Sequence, residues 1–235
     1  MLSRSEARFR PRHVPMSLYS RILGHPFVYN RIRPAVVGGI DLSAAYERLA
    51  TDGESTVLDI GCGTGNALDY LGPFKVYKGL DTDETAVRFA KGKYGDRSSV
   101  SFESRTCSEQ DVEVMQPSHV VMSGLLHHLD DAAASELLTL VAQSSRLVRA
   151  ITIDIIFLPG EFYNNLLAHL DRGRHCRTES QYRALVARSR LTLAESVIVR
   201  SHPKNYGVKY LVMTLTRGGG PPDADRRSSS LAPTD

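Results

Sequence analysis

Hydrophobic and polar residues follow two different periods along the chain. Short apolar runs are separated by longer segments in which apolar residues recur every three or four positions. The short runs predict β-strands and the longer segments predict helices, and their alternation indicates a parallel sheet with crossover helices. The predicted strands cover residues 55–60, 75–81, 99–104, 118–124, 149–157, 191–200 and 207–217.

The helical segments carry recognisable start signals. Residues 83–95 begin with a capping Asp83 and residues 130–148 begin with Asp130, and a further helix is predicted over 179–189. A short turn-like segment joins the last two strands, so we expect these strands to pair antiparallel. The pattern therefore predicts an α/β, doubly wound, mostly parallel sheet with an antiparallel pair at its end.

The size and composition of the chain indicate one globular domain. It has 235 residues, of which 42% are hydrophobic, and no run of the roughly 18 apolar residues that a membrane span needs. Cys62, Cys107 and Cys176 are far apart, which predicts neither a disulfide framework nor a zinc site. We expect a cytoplasmic protein without a metal.

The formal net charge of +3 is unevenly distributed. Residues 1–33 contain seven arginines and one acid and contribute +6, so the rest of the chain carries −3. An Arg- and Ser-rich start is also typical of an organellar transit peptide. We favour a flexible basic extension over 1–15, ahead of a second start at Met16. Residues 217–235, rich in Gly, Pro and Ser, predict a disordered tail.

Three glycines alternate in the stretch VLDIGCGTGN, directly after the first predicted strand. Gly61, Gly63 and Gly65 let the backbone approach a ligand without a Cβ and present unpaired N–H groups to it. The dinucleotide fingerprint G-x-G-x-x-G would need a glycine at position 66, which is Asn66. A nicotinamide-dependent dehydrogenase is therefore disfavoured.

Two acids accompany the glycines. Asp59 lies two residues before Gly61, where its carboxylate suits a cationic ligand. Asp81 ends the second predicted strand, about 20 residues after the turn begins, where a carboxylate can accept both hydroxyls of a ribose. Together the two acids indicate a ligand with a ribose and a positive charge.

Three segments of the chain resemble the class I S-adenosylmethionine-dependent methyltransferases. They are VLDIGCGTGN, GLDTDETAVRFA and HVVMSGLLHHLDD. The resemblance covers about residues 55–216 and implies a seven-stranded sheet with an antiparallel last strand. It also implies S-adenosyl-L-methionine as the cofactor. By position, the glycines would shape the loop under the methionine part, Asp59 would act on its amino end through the loop, and Asp81 would bind the ribose.

The same resemblance implies further cofactor contacts. Thr82 would lie beside the adenine, and Ser123, at the end of the fourth strand, would border the cofactor. Family members often carry an acid after the third strand that accepts a hydrogen bond from the adenine amino group. This chain has Thr106 near that place, and the threonine or backbone groups would substitute.

The loop after the fourth strand supplies the candidate catalytic residues. In the family this loop borders the methyl group, and here it contains His127 and His128, whose imidazoles have the pKa range of a general base. Alternatively, one histidine packs and hydrogen-bonds beneath the loop. The Asn/Asp-Pro-Pro-Tyr/Phe motif of amide and aminopurine N-methyltransferases is not present there, which disfavours methylation of adenine in nucleic acids.

Two segments are candidates for the acceptor pocket. Residues 159–177 form an unusually long connection, and N-terminal helices within 16–54 would cover the active site. Arginines near 172–177 suggest an anionic acceptor, although a solvated surface explains them equally well. The candidate acceptor contacts are Tyr19, Tyr29, Arg33, Tyr163, Arg172 and Arg174.

The sequence therefore predicts a methyltransferase of the class I fold acting on a small molecule at oxygen, nitrogen or carbon. The methyltransferase domain would span 55–216. One alternative is a protein that retains the cofactor but transfers no methyl group, such as a cyclase, an isomerase or a binding partner. Another is methylation of a macromolecule. Nucleic acid stays a minor alternative, because the folded part of the chain is slightly acidic.

Overall fold

A computed structural model describes residues 42–170, 174–200 and 208–218. Within these ranges the chain forms a seven-stranded sheet in the order β3-β2-β1-β4-β5-β7-β6. The strands are β1 Thr56–Ile60, β2 Val76–Asp81, β3 Val100–Ser104, β4 His119–Ser123, β5 Arg149–Ile155, β6 Leu191–Arg200 and β7 Lys209–Arg217.

Strands β1 to β5 are parallel, and β7 pairs antiparallel with both β5 and β6. This arrangement confirms the predicted fold class. The helices are α1 Ser43–Glu47, α2 Glu84–Tyr94, α3 Glu109–Met115, α4 Asp131–Val141, α5 Phe162–Leu170 and α6 Glu179–Arg188. Short 3₁₀ turns occur at Asn66–Asp69 and Leu126–His128.

The helices begin where the sequence supplies caps. The Asp83 side chain accepts hydrogen bonds from the backbone N–H groups of Thr85 and Ala86, and Asp130 accepts one from Ala133. These bonds satisfy donors that have no partner within the helix. Helix α4 ends at Val141, earlier than the predicted 130–148, and the residues after it form a turn.

Hydrophobic side chains cover both faces of the sheet. Helices α3, α4 and α6 pack on one face around Leu58, Met122 and Leu138. Helices α1 and α2 pack on the other face with Val57 and Phe102. Because β1 to β5 are parallel, the loops after their carboxyl ends meet at one edge of the sheet, which is where ligands bind in open α/β sheets.

Several of the segments predicted from the sequence lie outside the described residues. These are the extension over 1–15, residues 16–41 of the proposed covering segment, residues 171–173 of the long connection, residues 201–207 between the last two strands and residues 219–235 of the tail. The described part of 159–177 contains α5, which the sequence pattern did not predict. The Asn164 side chain ties this helix to the sheet, since it donates to Ile156 O and accepts from the N–H of Lys209.

Candidate active site

The glycine loop follows β1 and turns sharply over the neighbouring strand. Gly61, Gly63 and Gly65 have φ angles of 74°, 51° and 76°, which side chains with a Cβ rarely adopt. The backbone N–H groups of Gly61 and Cys62 both donate to Leu80 O, which anchors the loop to β2. The sequence therefore needs glycine at these positions for backbone conformation as well as for ligand access.

The three glycines have different surroundings. A Cβ at Gly61 would lie 3.1 Å from Leu125 Cδ1, so this glycine permits close packing between two loops. A Cβ at Gly65 would lie 3.0 Å from both Tyr94 and Phe102, which places Gly65 against the core. A Cβ at Gly63 would meet no atom within 4 Å among the described residues, so this side of the loop is open.

Asp81 ends β2 and holds the glycine loop. Its Oδ2 accepts the backbone N–H of Gly63 at 2.7 Å, and its Oδ1 accepts that of Asp83 at 2.8 Å. Each carboxylate oxygen has a second lone pair, so the side chain can still accept ligand hydroxyls. Asp81 thus presents a positioned acceptor at the sheet edge.

Asp59 occupies a different environment, beneath the loop. Its side chain is buried, and its Oδ2 accepts the Tyr77 O–H at 2.5 Å. Burial raises the pKa of Asp59 to about 7, against the opposing effect of the Tyr77 hydrogen bond. Asp59 does not line the cavity at this edge of the sheet. Any electrostatic interaction of its carboxyl group with a ligand therefore acts across the backbone of the glycine loop.

A cavity of about 840 Å³ opens at this edge of the sheet. It brings together most of the predicted cofactor contacts and one of the two histidines. The predicted site residues that line it are Gly61, Gly63, Asp81, Thr82, Thr106, Ser123 and His128.

The cavity also has walls that sequence reasoning missed. Ala133, Leu137 and Leu140 of α4 line it, with Glu136 beside them and Glu109 at the start of α3. The helical pattern did contain a signal, because Ala133, Leu137 and Leu140 share one face of α4. However, the neighbouring face with Leu138 packs in the core, and periodicity alone does not tell which face meets a ligand.

The two adjacent histidines differ in how far their side chains are buried. His127 is buried, and its ring Nδ1 and backbone N lie 2.8 and 3.1 Å from Asp154 Oδ1. His128 is exposed and lines the cavity, with its ring centroid 4.2 Å from that of His127. Only His128 of the two is therefore placed to contact a ligand in the cavity.

Arg177 holds the histidine loop from behind. The guanidinium is buried and donates to the carbonyls of Leu126 and Leu129 at 2.8 and 2.7 Å. It also donates to His175 O at 2.9 Å and to Asp131 Oδ1 at 2.9 Å. Because these contacts occupy Arg177, it does not belong to an arginine cluster that could bind an anionic acceptor.

Comparisons with known proteins agree with this fold. Residues 58–149 match a family model described as "Methyltransferase domain". The fold is that of class I methyltransferases, and residues 58–149 are similar to a methyltransferase domain. A comparison with curated proteins found no significant match to the sequence.

Solved structures of methyltransferases share the fold of this domain. The methyltransferase domain of bacterial CtHen1-C is 17% identical with a TM-score of 0.58, covering 76% of this chain and 97% of that one. The N-methyltransferase NodS from Bradyrhizobium japonicum is 15% identical with a TM-score of 0.55, covering 75% and 94%. A geranyl diphosphate methyltransferase in complex with SAM is 15% identical with a TM-score of 0.54, covering 74% and 85%.

Only two of the six predicted acceptor contacts, Tyr163 and Arg174, lie within the described residues. Tyr163 lies on α5 and is 57% exposed, and neither Tyr163 nor Arg174 lines the cavity. Phe162 and Leu166 are also exposed on the same helix. Four further predicted contacts, Tyr19, Tyr29, Arg33 and Arg172, lie outside the described residues.

Thr106 follows a network of charged side chains. Arg105 donates to both oxygens of Asp111 and to Glu103, while Lys78 pairs with the same two acids. The Arg105 hydrogen bonds hold the pKa of Asp111 well below its usual range. The network fixes the start of α3, and with it the cavity wall at Thr106.

The described part of the chain shows no grouping of three or more His, Cys, Asp or Glu side chains suited to a metal ion. Burial raises the pKa of the Cys62 thiol, which lies in the glycine loop, and raises that of Cys107 to about 11. Neither thiol is therefore activated as a nucleophile. Within the same ranges, no helix combines the length and apolar character needed to cross a membrane.

Proposed function

We propose that the protein transfers a methyl group from S-adenosyl-L-methionine to a small-molecule acceptor. The observation that carries the proposal is the cavity of about 840 Å³, which joins the glycine loop, Asp81 and His128 in one site. Its volume lies in the range of about 300–1,000 Å³ usual for small-ligand pockets. The methyltransferase family match supports the same reaction.

The residues present fit this cofactor. The open side of Gly63 leaves room for a ligand close to the backbone, and Asp81 keeps lone pairs for the two hydroxyls of a ribose. Thr82 and Thr106 also line the cavity, and we expect them to border the adenine. When bound, S-adenosyl-L-methionine supplies a methyl group on a positively charged sulfur.

His128 is the proposed general base. Methyl transfer is an in-line displacement, so the acceptor atom must be held against the methyl group, and a base helps when that atom loses a proton. His128 lines the cavity, and its ring lies against that of His127. Asp154 and Arg177 fix the loop around it, so they are positioning residues for His128.

The described residues favour an acceptor with an apolar part. Leu125, Leu129, Leu137 and Leu140 are all part of the cavity lining. Burial of such surface contributes about 25 cal/mol per Å² of apolar area. The geranyl diphosphate methyltransferase among the structural neighbours shows that this fold accommodates an acceptor with an apolar chain.

Calorimetry with S-adenosylhomocysteine tests the cofactor. The protein should bind it, and Asp81→Asn should weaken binding at least tenfold because one acceptor is replaced by a donor. Asp96→Asn, at an exposed turn after α2, is the matched control and should bind normally. No binding by the unaltered protein, or equal binding by both variants, would contradict the proposal.

Turnover is tested by formation of S-adenosylhomocysteine with a panel of small acceptors carrying apolar groups. His128→Asn should lower kcat at least a hundredfold with an acceptor that must lose a proton, while the affinity for S-adenosylhomocysteine stays within about threefold. Bound cofactor with no product from any acceptor class would favour a protein that does not transfer methyl groups.

A further inference from the structure

The carboxyl group of Asp59 is buried and incompletely hydrogen-bonded. Its Oδ2 accepts the Tyr77 O–H, whereas Oδ1 is buried and has no hydrogen-bond partner among residues 42–170, 174–200 and 208–218. Buried polar atoms in folded proteins are nearly always partnered, so this oxygen requires an explanation. An ionised carboxylate in such a place is unfavourable unless a positive charge comes close.

Asp59 lies directly under the glycine loop. The two residues that follow it, Ile60 and Gly61, both line the cavity. A ligand lying on the loop would therefore sit one backbone layer from the Asp59 carboxyl group. The burial of that carboxyl group keeps the dielectric screening between them low.

Among the described residues, the groups that face Asp59 are neutral or acidic. Strand β2 contributes Tyr77 and Asp81, and the loop contributes Cys62. Strand β4 contributes Val121, which pairs in register with Asp59, and Tyr46 of α1 acts on Tyr77. The Asp81 charge and burial both disfavour ionisation of Asp59, so the carboxyl group holds its proton up to a pH of about 7.

We propose that a cationic ligand binds on the glycine loop with the release of a proton from Asp59. The ligand is the cofactor of the proposed function, on which this inference rests, and the cation is its ammonium group. The proton leaves the Asp59 carboxyl group for the solvent, and no covalent bond of the ligand changes. Asp59 and Tyr77 thereby make the affinity for a positively charged ligand depend on pH.

The expected effect is measurable. A group with a pKa of about 7 is about nine-tenths protonated at pH 6 and about one-quarter protonated at pH 7.5. Binding of S-adenosylhomocysteine should therefore release about 0.9 proton at pH 6 and about 0.25 at pH 7.5, and should be about eightfold weaker at pH 6. Calorimetry in buffers of different ionisation enthalpy measures the protons released.

Measurements with two ligands and three variants show which side chain releases the proton. 5′-Methylthioadenosine, which has the adenosine but no ammonium group, should bind with little proton release. Asp59→Asn should abolish proton release, and His128→Asn, which removes the histidine in the cavity wall, should retain it. Tyr77→Phe should move proton release to higher pH, because the Tyr77 hydrogen bond lowers the pKa of Asp59.

The outcomes separate this inference from the proposed function. Binding of S-adenosylhomocysteine without proton release at pH 6 overturns the inference and leaves the cofactor in place. Release that persists in Asp59→Asn but vanishes in His128→Asn also overturns it, since the proton then belongs to His128. If the unaltered protein does not bind S-adenosylhomocysteine at either pH, the proposed function fails, and the inference with it. If Asp59→Asn does not fold, the Tyr77→Phe variant tests the inference instead. Proton release with the same pH dependence in Tyr77→Phe as in the unaltered protein would contradict the proposal.

Discussion

Asp154 Oδ1 lies 2.8 Å from the ring Nδ1 of His127 and 3.1 Å from the backbone N of the same residue. Both side chains are almost fully buried. A single carboxylate oxygen on β5 thus fixes the ring and the backbone of a loop that follows β4. The loop is the cavity wall that carries His128, so this contact connects the core of the sheet to the candidate site.

Loss of Asp154 should destabilise the protein. In Asp154→Ala the buried ring N and backbone N of His127 both lose their acceptor, and we expect the free energy of unfolding to fall by about 2–3 kcal/mol. Urea denaturation measures this change. Asp96→Ala, at an exposed turn, is the control and should change it by less than about 0.5 kcal/mol. Equal stability of the two variants would show that the contact does not contribute.

Arg177 should not be replaceable by lysine. The ammonium of Arg177→Lys cannot reach the carbonyls of Leu126 and Leu129 together with the other acceptors, so buried carbonyls lose their partners. We expect a loss of about 2 kcal/mol in urea denaturation and weaker binding of S-adenosylhomocysteine. Arg183→Lys is the control, because Arg183 is half exposed and pairs with Glu179 within one helix. A loss in the control as large as in Arg177→Lys would contradict this interpretation.

Two glycines should respond in opposite directions to alanine. A Cβ at Gly79 of β2 would lie 2.6 Å from Phe102 Cδ1 and 2.9 Å from Cys62 Sγ, so Gly79→Ala should cost about 1–3 kcal/mol. Gly92 lies on α2 with no atom within 4 Å of a Cβ among the described residues. Gly92→Ala should therefore stabilise by about 0.5–1 kcal/mol, as helix propensity predicts. Thermal unfolding of both variants checks the two signs, and destabilisation by both would refute the packing argument.

The stabilisation by Asp111 should depend on pH. Arg105 and Lys78 hold the pKa of this carboxylate below its value in the unfolded chain, so the stabilisation is present above a pH of about 4 and lost as the pH falls further. We expect Asp111→Asn to be less stable than the unaltered protein by about 2 kcal/mol at pH 7. The difference should shrink at pH 3.

Urea denaturation at pH 7, 5 and 3 measures the contribution of Asp111. Asp96→Asn is the matched control for a change from carboxylate to amide on the surface, and it should not alter stability at any of these pH values. A difference between Asp111→Asn and the unaltered protein that stays constant from pH 7 to pH 3 would contradict the assignment to the ionised carboxylate.

Local patterns in the sequence were enough to predict the fold. Apolar runs and capping residues predicted all seven strands, the helices α2, α4 and α6, and the antiparallel pairing at the end of the sheet. These features depend on the period of neighbouring side chains and on caps within four residues. Helix α3 was missed because seven residues span barely two turns, which is too short for a helical period to stand out.

The sequence also determined which loops meet at the site. Parallel strands bring their carboxyl ends to one edge, so the glycine loop, Asp81 and the histidine loop had to come together there. What the sequence did not determine was the environment of each side chain. Asp59 and Asp81 both occur near strand ends, yet one is buried against Tyr77 and the other lines the cavity.

Only the tertiary structure decided which of His127 and His128 meets the cavity. The partners that bury His127 and fix its loop are Asp154, 27 residues away, and Arg177, which lies 51 residues from Leu126. Such contacts have no period along the chain, because they depend on the packing of β5 and the segment before α6 against the loop. The physical reason is that burial is set by neighbours in space, whereas a sequence pattern records neighbours along the chain.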